Sequence, residues 1–247
     1  MNESIGRDFM RKTRPQFLGP SAQSQGVPQP PLEQGYPPET AFIALPDPKT
    51  LVVESVDLRA LIEKRRSTRR YSMQALSLTE LSYLLWCTQG VKSLLDSPAT
   101  LRTVPSAGAR HAFETYLLAN RVDGLQPGLY HYSALKHALV EYNLEGTIAA
   151  DLSKACMEQR KIAESAVTFI WAAVVERMAW RYGERGYRYL HLDAGHVCQN
   201  LYLAGEALGC GTCAIAAYND DAVNALLGLD GDEQFVIYLA SLGKHIA

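Results

Sequence analysis

Residues 207–220 read ALGCGTCAIAAYND, and the order in which a helix and a strand meet there decides the fold. Cys210-Gly-Thr-Cys213 is a C-x-x-C, and Gly209-x-Gly211-x-x-Ala214 matches the glycine pattern of a dinucleotide loop. Such a loop leaves a strand and opens a helix, so that the pyrophosphate meets the helix N-terminus. Here the order is reversed. Upstream, Leu192, His196, Cys198, Leu201, Ala204 and Leu208 recur at helical spacing, which predicts a long helical region over about 179–208 with His196 on its apolar face. Gly209 is the natural stop, and 214–218 reads as a short buried strand. The thiols therefore sit at the wrong end of a helix dipole for a redox pair. A zinc site needs two more ligands, and the nearest, His196 and Cys198, lie two apart on a helix and point to different sides. What remains is a tight glycine turn feeding a strand of small residues, whose backbone a flat ligand can approach.

Working outward, the order of elements is mixed. Leu58, Leu61 and Ile62 share one face of a predicted helix, and 77–90 is a second, with Ser77 and Glu80 as a capping box and Gly90 as its end. Residues 91–112 read as a long loop, 113–122 as a strand, and 124–133 with 137–143 as a hairpin. A helix at about 147–160 precedes a central strand at 167–175. Asn219 caps a short helix that Gly228 ends, and the last strand closes the chain. Without regular βαβ alternation, this is α+β and not a doubly wound fold.

The 247 residues, 47% of them apolar, can bury a substantial core, and a net charge of −2 asks for neither nucleic acid nor an anionic membrane. Nine of the twelve prolines fall in the first 48 residues, so 1–55 is expected to be an extended arm pinned to a neighbouring surface, with the globular domain at 56–247. The charged N-terminus has no apolar signal region, and the longest apolar run, 166–175, is too short to span a bilayer. Five widely spaced cysteines fit a reducing cytoplasm.

Two further stretches carry chemistry. Lys64, Arg65, Arg66, Arg69 and Arg70 crowd five cations into seven residues around Ser67. A solvated helix end, a nucleic-acid patch and a phosphate site all fit that pattern. The hydroxyl between guanidinium forks, in a chain not otherwise basic, favours one phosphomonoester. Pro105-Ser106-Ala107-Gly108 is a turn of small residues with free amides.

Together RRSTRRYS (65–72), SYLLWCTQGV (82–91), PSAGARHAFETYLL (105–118), the stretch 181–215 and YLASLGK (238–244) resemble the FMN-dependent nitroreductase superfamily, and within it the SagB/ThcOx-type dehydrogenase branch. The resemblance implies an antiparallel or mixed sheet flanked by helices, an intertwined homodimer, and FMN at the subunit interface. It implies that Arg65 and Ser67 hold the FMN phosphate, and that Arg69 sits near the pyrimidine side of the ring with Arg66 close by. Pro105, Ser106, Ala107 and Gly108 reach the flavin from the other subunit, Gln159 contacts it, Ala214, Ile215, Ala216 and Ala217 run along the ring, and Lys244 is a final phosphate-binding base. Two departures stand out. Ala109 occupies the place where many relatives carry Asn. Arg181-Tyr182 replaces the Lys-Tyr pair of azoline-oxidising members, and arginine cannot readily act as a base. Tyr182 and Arg181 are the catalytic candidates, and no metal is expected. Three functions follow: an NAD(P)H-linked FMN oxidoreductase, a dehydrogenase of a peptide-derived or other small metabolite, or a non-enzymatic basic-patch module.

Overall fold

The computed structural model describes residues 4–54, 56–96 and 99–246. Helix α1 (Ile5–Lys12) opens the arm, and β1 (Ile43–Ala44) ends it. There follow α2 (Leu58–Lys64), α3 (Leu78–Gln89), β2 (Val91–Leu94), β3 (Thr100–Arg102), β4 (Phe113–Ala119), β5 (Gly128–Ser133) and β6 (Ala138–Asn143). The chain continues through α4 (Ile148–Ala155), α5 (Lys161–Glu164), β7 (Val167–Val174), α6 (Val175–Tyr182), α7 (Gly186–Ala207), β8 (Cys210–Ile215), α8 (Asp220–Leu226) and β9 (Gln234–Lys244).

The main sheet has seven strands among the described residues, in the order β1-β6-β5-β4-β7-β9-β8. Every pairing in it is antiparallel. Strands β4 and β7 are buried along their whole length, because helices cover both faces. Alternation then divides the core. Leu117, Phe169, Trp171, Ala240 and Leu242 pack beneath α3 and α7. Tyr116, Leu118, Ile170, Ala172 and Leu239 pack beneath α4 and α8. Helix α7 presents Leu190, Ala194, Val197, Cys198 and Leu201 to the first layer at the expected helical spacing.

The capping box at Ser77–Glu80 forms, and Asn219 accepts from the amide of Ala222 at the start of α8. Gly90 ends α3 in an extended conformation. A side chain there would collide with the Trp86 indole, so close approach and not a left-handed turn requires the glycine. Four expectations are corrected. The helix at 147–160 stops at Ala155, because Met157 and Glu158 both adopt left-handed backbone. The region 179–208 begins earlier, as α6, and breaks at Gly183, also left-handed. Residues 91–112 contain the β2–β3 hairpin. On α2, Leu58 and Ile62 are exposed, so its apolar face points away from the core.

The arm is held in cis, largely through its own main chain. Trp180 Nε1 donates to Val27 O at 2.7 Å, and Gln23 N donates to Trp180 O at 2.8 Å. Arg177 Nε donates to Pro31 O at 2.9 Å, and Arg185 donates to Thr13 O at 2.9 Å. Glu114 accepts from Gln34 N at 2.8 Å, from Arg177 at 2.5 Å and from His131 Nε2 at 3.0 Å, while Tyr36 Oη meets His131 Nδ1 at 2.7 Å. The arm also enters the sheet, where Ile43 pairs with Leu139 and Leu45 is buried. The boundary expected at 55/56 falls on a residue outside the described ones.

Candidate functional site

The basic stretch folds as a loop against the sheet's edge. Ser67 bridges β8 at Thr212, and Thr68 N donates to Thr212 O at 2.9 Å. An edge strand has a free row of backbone groups, so it can accept such a loop. Arg66, Ser67, Arg69 and Arg70 are exposed, and with Thr68 and His245 they line a cleft of about 420 Å³. Among the described residues, no carboxylate pairs with Arg65, Arg66, Arg69 or Arg70. This wall is made of hydrogen-bond donors and cations, which suits a phosphate.

A residue not anticipated from the sequence joins the loop to the strand. The Tyr202 hydroxyl, from α7, contacts Ser67 Oγ at 3.0 Å and accepts from Ala214 N at 2.9 Å. The Arg65 guanidinium lies 5.4 Å from its ring centroid. The signal available was Tyr202 falling one turn beyond Cys198 on the periodic helix. Ala214 thus has its amide occupied. Ala216 and Ala217, just past β8, are exposed, and their N–H groups make no hydrogen bond among the described residues. Gln159 lies beside them, donating from Nε2 to Ala217 O at 2.6 Å. Ile215 is buried and faces the second core layer.

Lys244 is directed elsewhere. Its ammonium bonds Glu80 and, at 3.0 Å, Leu208 O, and only 9% of the residue is exposed. It sits in β9 opposite Cys210, so its side chain crosses toward the start of α3. The neighbouring His245 lines the cleft, with its Nε2 3.5 Å from the Glu206 carboxylate.

The second set gathers around 105–111. Gly108, Ala109 and His111 have φ of 58°, 54° and 45°. Three left-handed residues in four, two of them not glycine, store backbone strain that the surroundings must hold. Ser106 Oγ accepts from His111 N at 2.9 Å, and Asp193 Oδ1, from α7, accepts from Ala107 N at 3.2 Å. Arg110 stacks on Trp180. A Cβ on Gly108 would fall 2.6 Å from Tyr182 Oη and 2.9 Å from Arg181 Cδ. Pro105–Gly108 and Arg181-Tyr182 are therefore brought together, and Tyr182 is braced edge-on by Tyr189. Burial, helped by the charge of Arg102, pushes the His111 imidazole down to about 3, so it is neutral near neutral pH. Burial pushes the Asp193 carboxyl up, against the bonds from Ser106 and Ala107, and its Oδ2 has no partner.

Cys210 and Cys213 are both buried, and strand alternation sends them to opposite faces of β8, so they cannot act as a pair. Burial raises the Cys210 thiol to about 12. His196 is exposed, with Leu192, on the outer side of α7, a correction to its expected core position. The helix is simply wider in circumference than the stripe it buries.

Comparison with known proteins bears on this arrangement. Residues 62–244 match the model described as "Nitroreductase family". The Methanocaldococcus jannaschii protein MJ1384, described as a candidate nitroreductase, is 35% identical over 84% of this chain and 98% of its own. The trifolitoxin-processing protein TfxB of Rhizobium leguminosarum is 28% identical over 68% of this chain, which spans only 46% of TfxB. A candidate nitroreductase structure from Anabaena variabilis superposes with a TM-score of 0.69 at 30% identity, covering 85% of this chain and 42% of that one. A Desulfovibrio desulfuricans structure in complex with FMN shares the fold, with a TM-score of 0.55 at 17% identity over 78% of this chain and 88% of that one. Among the described residues, no helix is long and apolar enough to cross a membrane.

Proposed function

Because this chain belongs to the nitroreductase family and is an oxidoreductase of that kind, we propose that it is an FMN-dependent enzyme exchanging a hydride between NAD(P)H and a small organic acceptor. The observation that carries the reading is the cation-rich cleft at 66–70, tied by Tyr202 to the strand end where the Ala216 and Ala217 amides are free. These residues fit FMN. Arg65, Ser67 and His245 would hold its phosphate, Arg66 and Arg69 its surrounding charge, and Ala214–Ala217 with Gln159 would border the ring. When bound, FMN supplies hydride exchange at N5. The protein's part would be positioning and fixed charge: Arg69 would supply a cation beside the ring, and an amide at Ala216 or Ala217 a hydrogen-bond donor to it.

In this reading the Pro105–Gly108 turn completes the partner subunit's site in a homodimer. The exposed apolar residues of α2 (Leu58, Ile62) and α7 (Leu192) support such an interface. Tyr182, held against the turn, contacts substrate or gives a proton, with Arg181 beside it as a fixed cation. FMN in the Desulfovibrio structure supports the cofactor, and the cytoplasm is the compartment that suits five free cysteines. A second reading, a dehydrogenase of a peptide-derived metabolite, is favoured by the likeness to TfxB.

Purified protein is expected to bind FMN at one per chain and to bleach when NADH or NADPH is added without oxygen. Failure to bind FMN sinks both readings. A bound flavin indifferent to both nicotinamides leaves the dehydrogenase.

A further inference from the structure

Beyond the phosphate cleft, on the other side of Arg69 and Arg70, lies a second cleft of about 450 Å³, lined by Arg69, Arg70, Gln159, Arg160, Lys161 and Glu164. Four cations face one carboxylate there. That carboxylate is already paired, since Glu164 meets Arg160 at 3.2 Å across one exposed helical turn, a contact of little energy. Lys161 rests its ammonium on Gln159 Oε1. Arg70 has no carboxylate partner among the described residues.

The backbone points the same way. Met157 and Glu158, with φ of 58° and 57°, are consecutive left-handed residues that are not glycine. Each such residue stores backbone strain. The strained pair delivers Gln159, Arg160 and Lys161 as a unit to the wall formed by Arg69 and Arg70. Gln159 in turn fixes Ala217 O, so the cleft adjoins the strand end assigned above to the flavin ring.

One phosphate of FMN accounts for the first cleft and leaves Arg160 and Lys161 of the second without a role. Planar guanidinium forks match the oxygens of a phosphomonoester, and a dianion balances this many cations better than a single carboxylate does. Resting on the functional reading above, we infer that the second cleft binds the phosphomonoester of the electron donor, and so selects a 2′-phosphorylated nicotinamide nucleotide over its unphosphorylated form.

The test titrates FMN-loaded protein with 2′,5′-ADP and with 5′-AMP, followed calorimetrically. The expected result is at least tenfold tighter binding of 2′,5′-ADP, reduced to parity in the double variant Arg160→Ser, Lys161→Ser, with FMN content unchanged. Equal affinities in the wild type, or an undiminished preference in the variant, overturn the inference. Loss of FMN from the variant also overturns it, because the cleft would then be the flavin's own. Inorganic phosphate competing as well as 2′,5′-ADP overturns the nucleotide assignment. FMN loading is measured first, so a protein that takes up no flavin refutes the functional reading separately from this one.

Discussion

Replacing Glu114 with alanine is expected to loosen the arm and destabilise the whole domain. The Glu114 and Arg177 side chains are only 3% and 6% exposed, and Arg177 Nη1 already lacks a partner. Removing the carboxylate leaves a buried guanidinium unpaired and takes the acceptor from His131 Nε2 and Gln34 N. Breaking a buried pair from one side costs ~3–5 kcal/mol. At ~2–4 °C per kcal/mol for a chain of this size, the melting temperature should fall by about 6–20 °C. The pH dependence has a definite sign. Burial pushes the Glu114 carboxyl up, but the bond from His131 and the charge of Arg177 outweigh it, and the net shift is downward. Its contribution is therefore complete above the ordinary carboxylate range and is lost as pH falls through the lowered value, so wild type and variant converge in acid. Melting curves against pH, with the rate of tryptic cleavage after Lys12 and Lys49 as a reporter of the arm, test this. Glu114→Leu combined with Arg177→Met removes both charges and should recover most of the loss. A fall of less than about 2 °C in Glu114→Ala at neutral pH, or an arm that resists trypsin as before, refutes the reasoning.

Two other substitutions probe the second half of the site. Gly108→Ala places a methyl group on a φ of +58° and 2.6 Å from Tyr182 Oη. It should cost ~1–3 kcal/mol in a urea melt and lower turnover more than FMN content, and an unchanged melt and turnover would remove Tyr182 from the site. Asp193 has its carboxyl raised by burial, so wild-type stability is full below the ordinary carboxylate value and declines as pH rises through the raised one. Asp193→Asn keeps an acceptor for Ala107 N and should flatten that decline in urea midpoints measured against pH. A variant with the same slope as wild type contradicts the assignment.

The sequence reading succeeded where the signal is local. The capping box at Ser77, the hairpin of β5 and β6, and the turn from α7 into β8 are each written within a single short stretch of the chain. The direction of that last turn excluded a dinucleotide loop, and the lack of regular βαβ alternation excluded a doubly wound sheet. It failed where the signal is tertiary. Nothing around Met157 and Glu158 announces left-handed backbone, because neither is a glycine or asparagine that would signal it. Nor does β9 show that Lys244 turns to Glu80, since residues 164 apart carry the information jointly. Tyr202 was invisible for a related reason. On a periodic helix, an aromatic residue reads as core, and its role depends on where its hydroxyl ends.

The way the arm is gripped has a consequence for how this chain could change over time. Trp180, Arg177, Arg185 and Glu114 belong to the globular domain, and what they hold at Val27, Pro31, Thr13 and Gln34 is peptide backbone. Backbone groups are the same whatever residue carries them, with proline's missing N–H the one exception. Part of the instructions for the arm's path is thus stored outside the arm. Its letters at Val27 and Pro31, held here by their carbonyl oxygens alone, are free to drift while its course stays fixed, and a family pattern that begins at residue 62 passes over the arm.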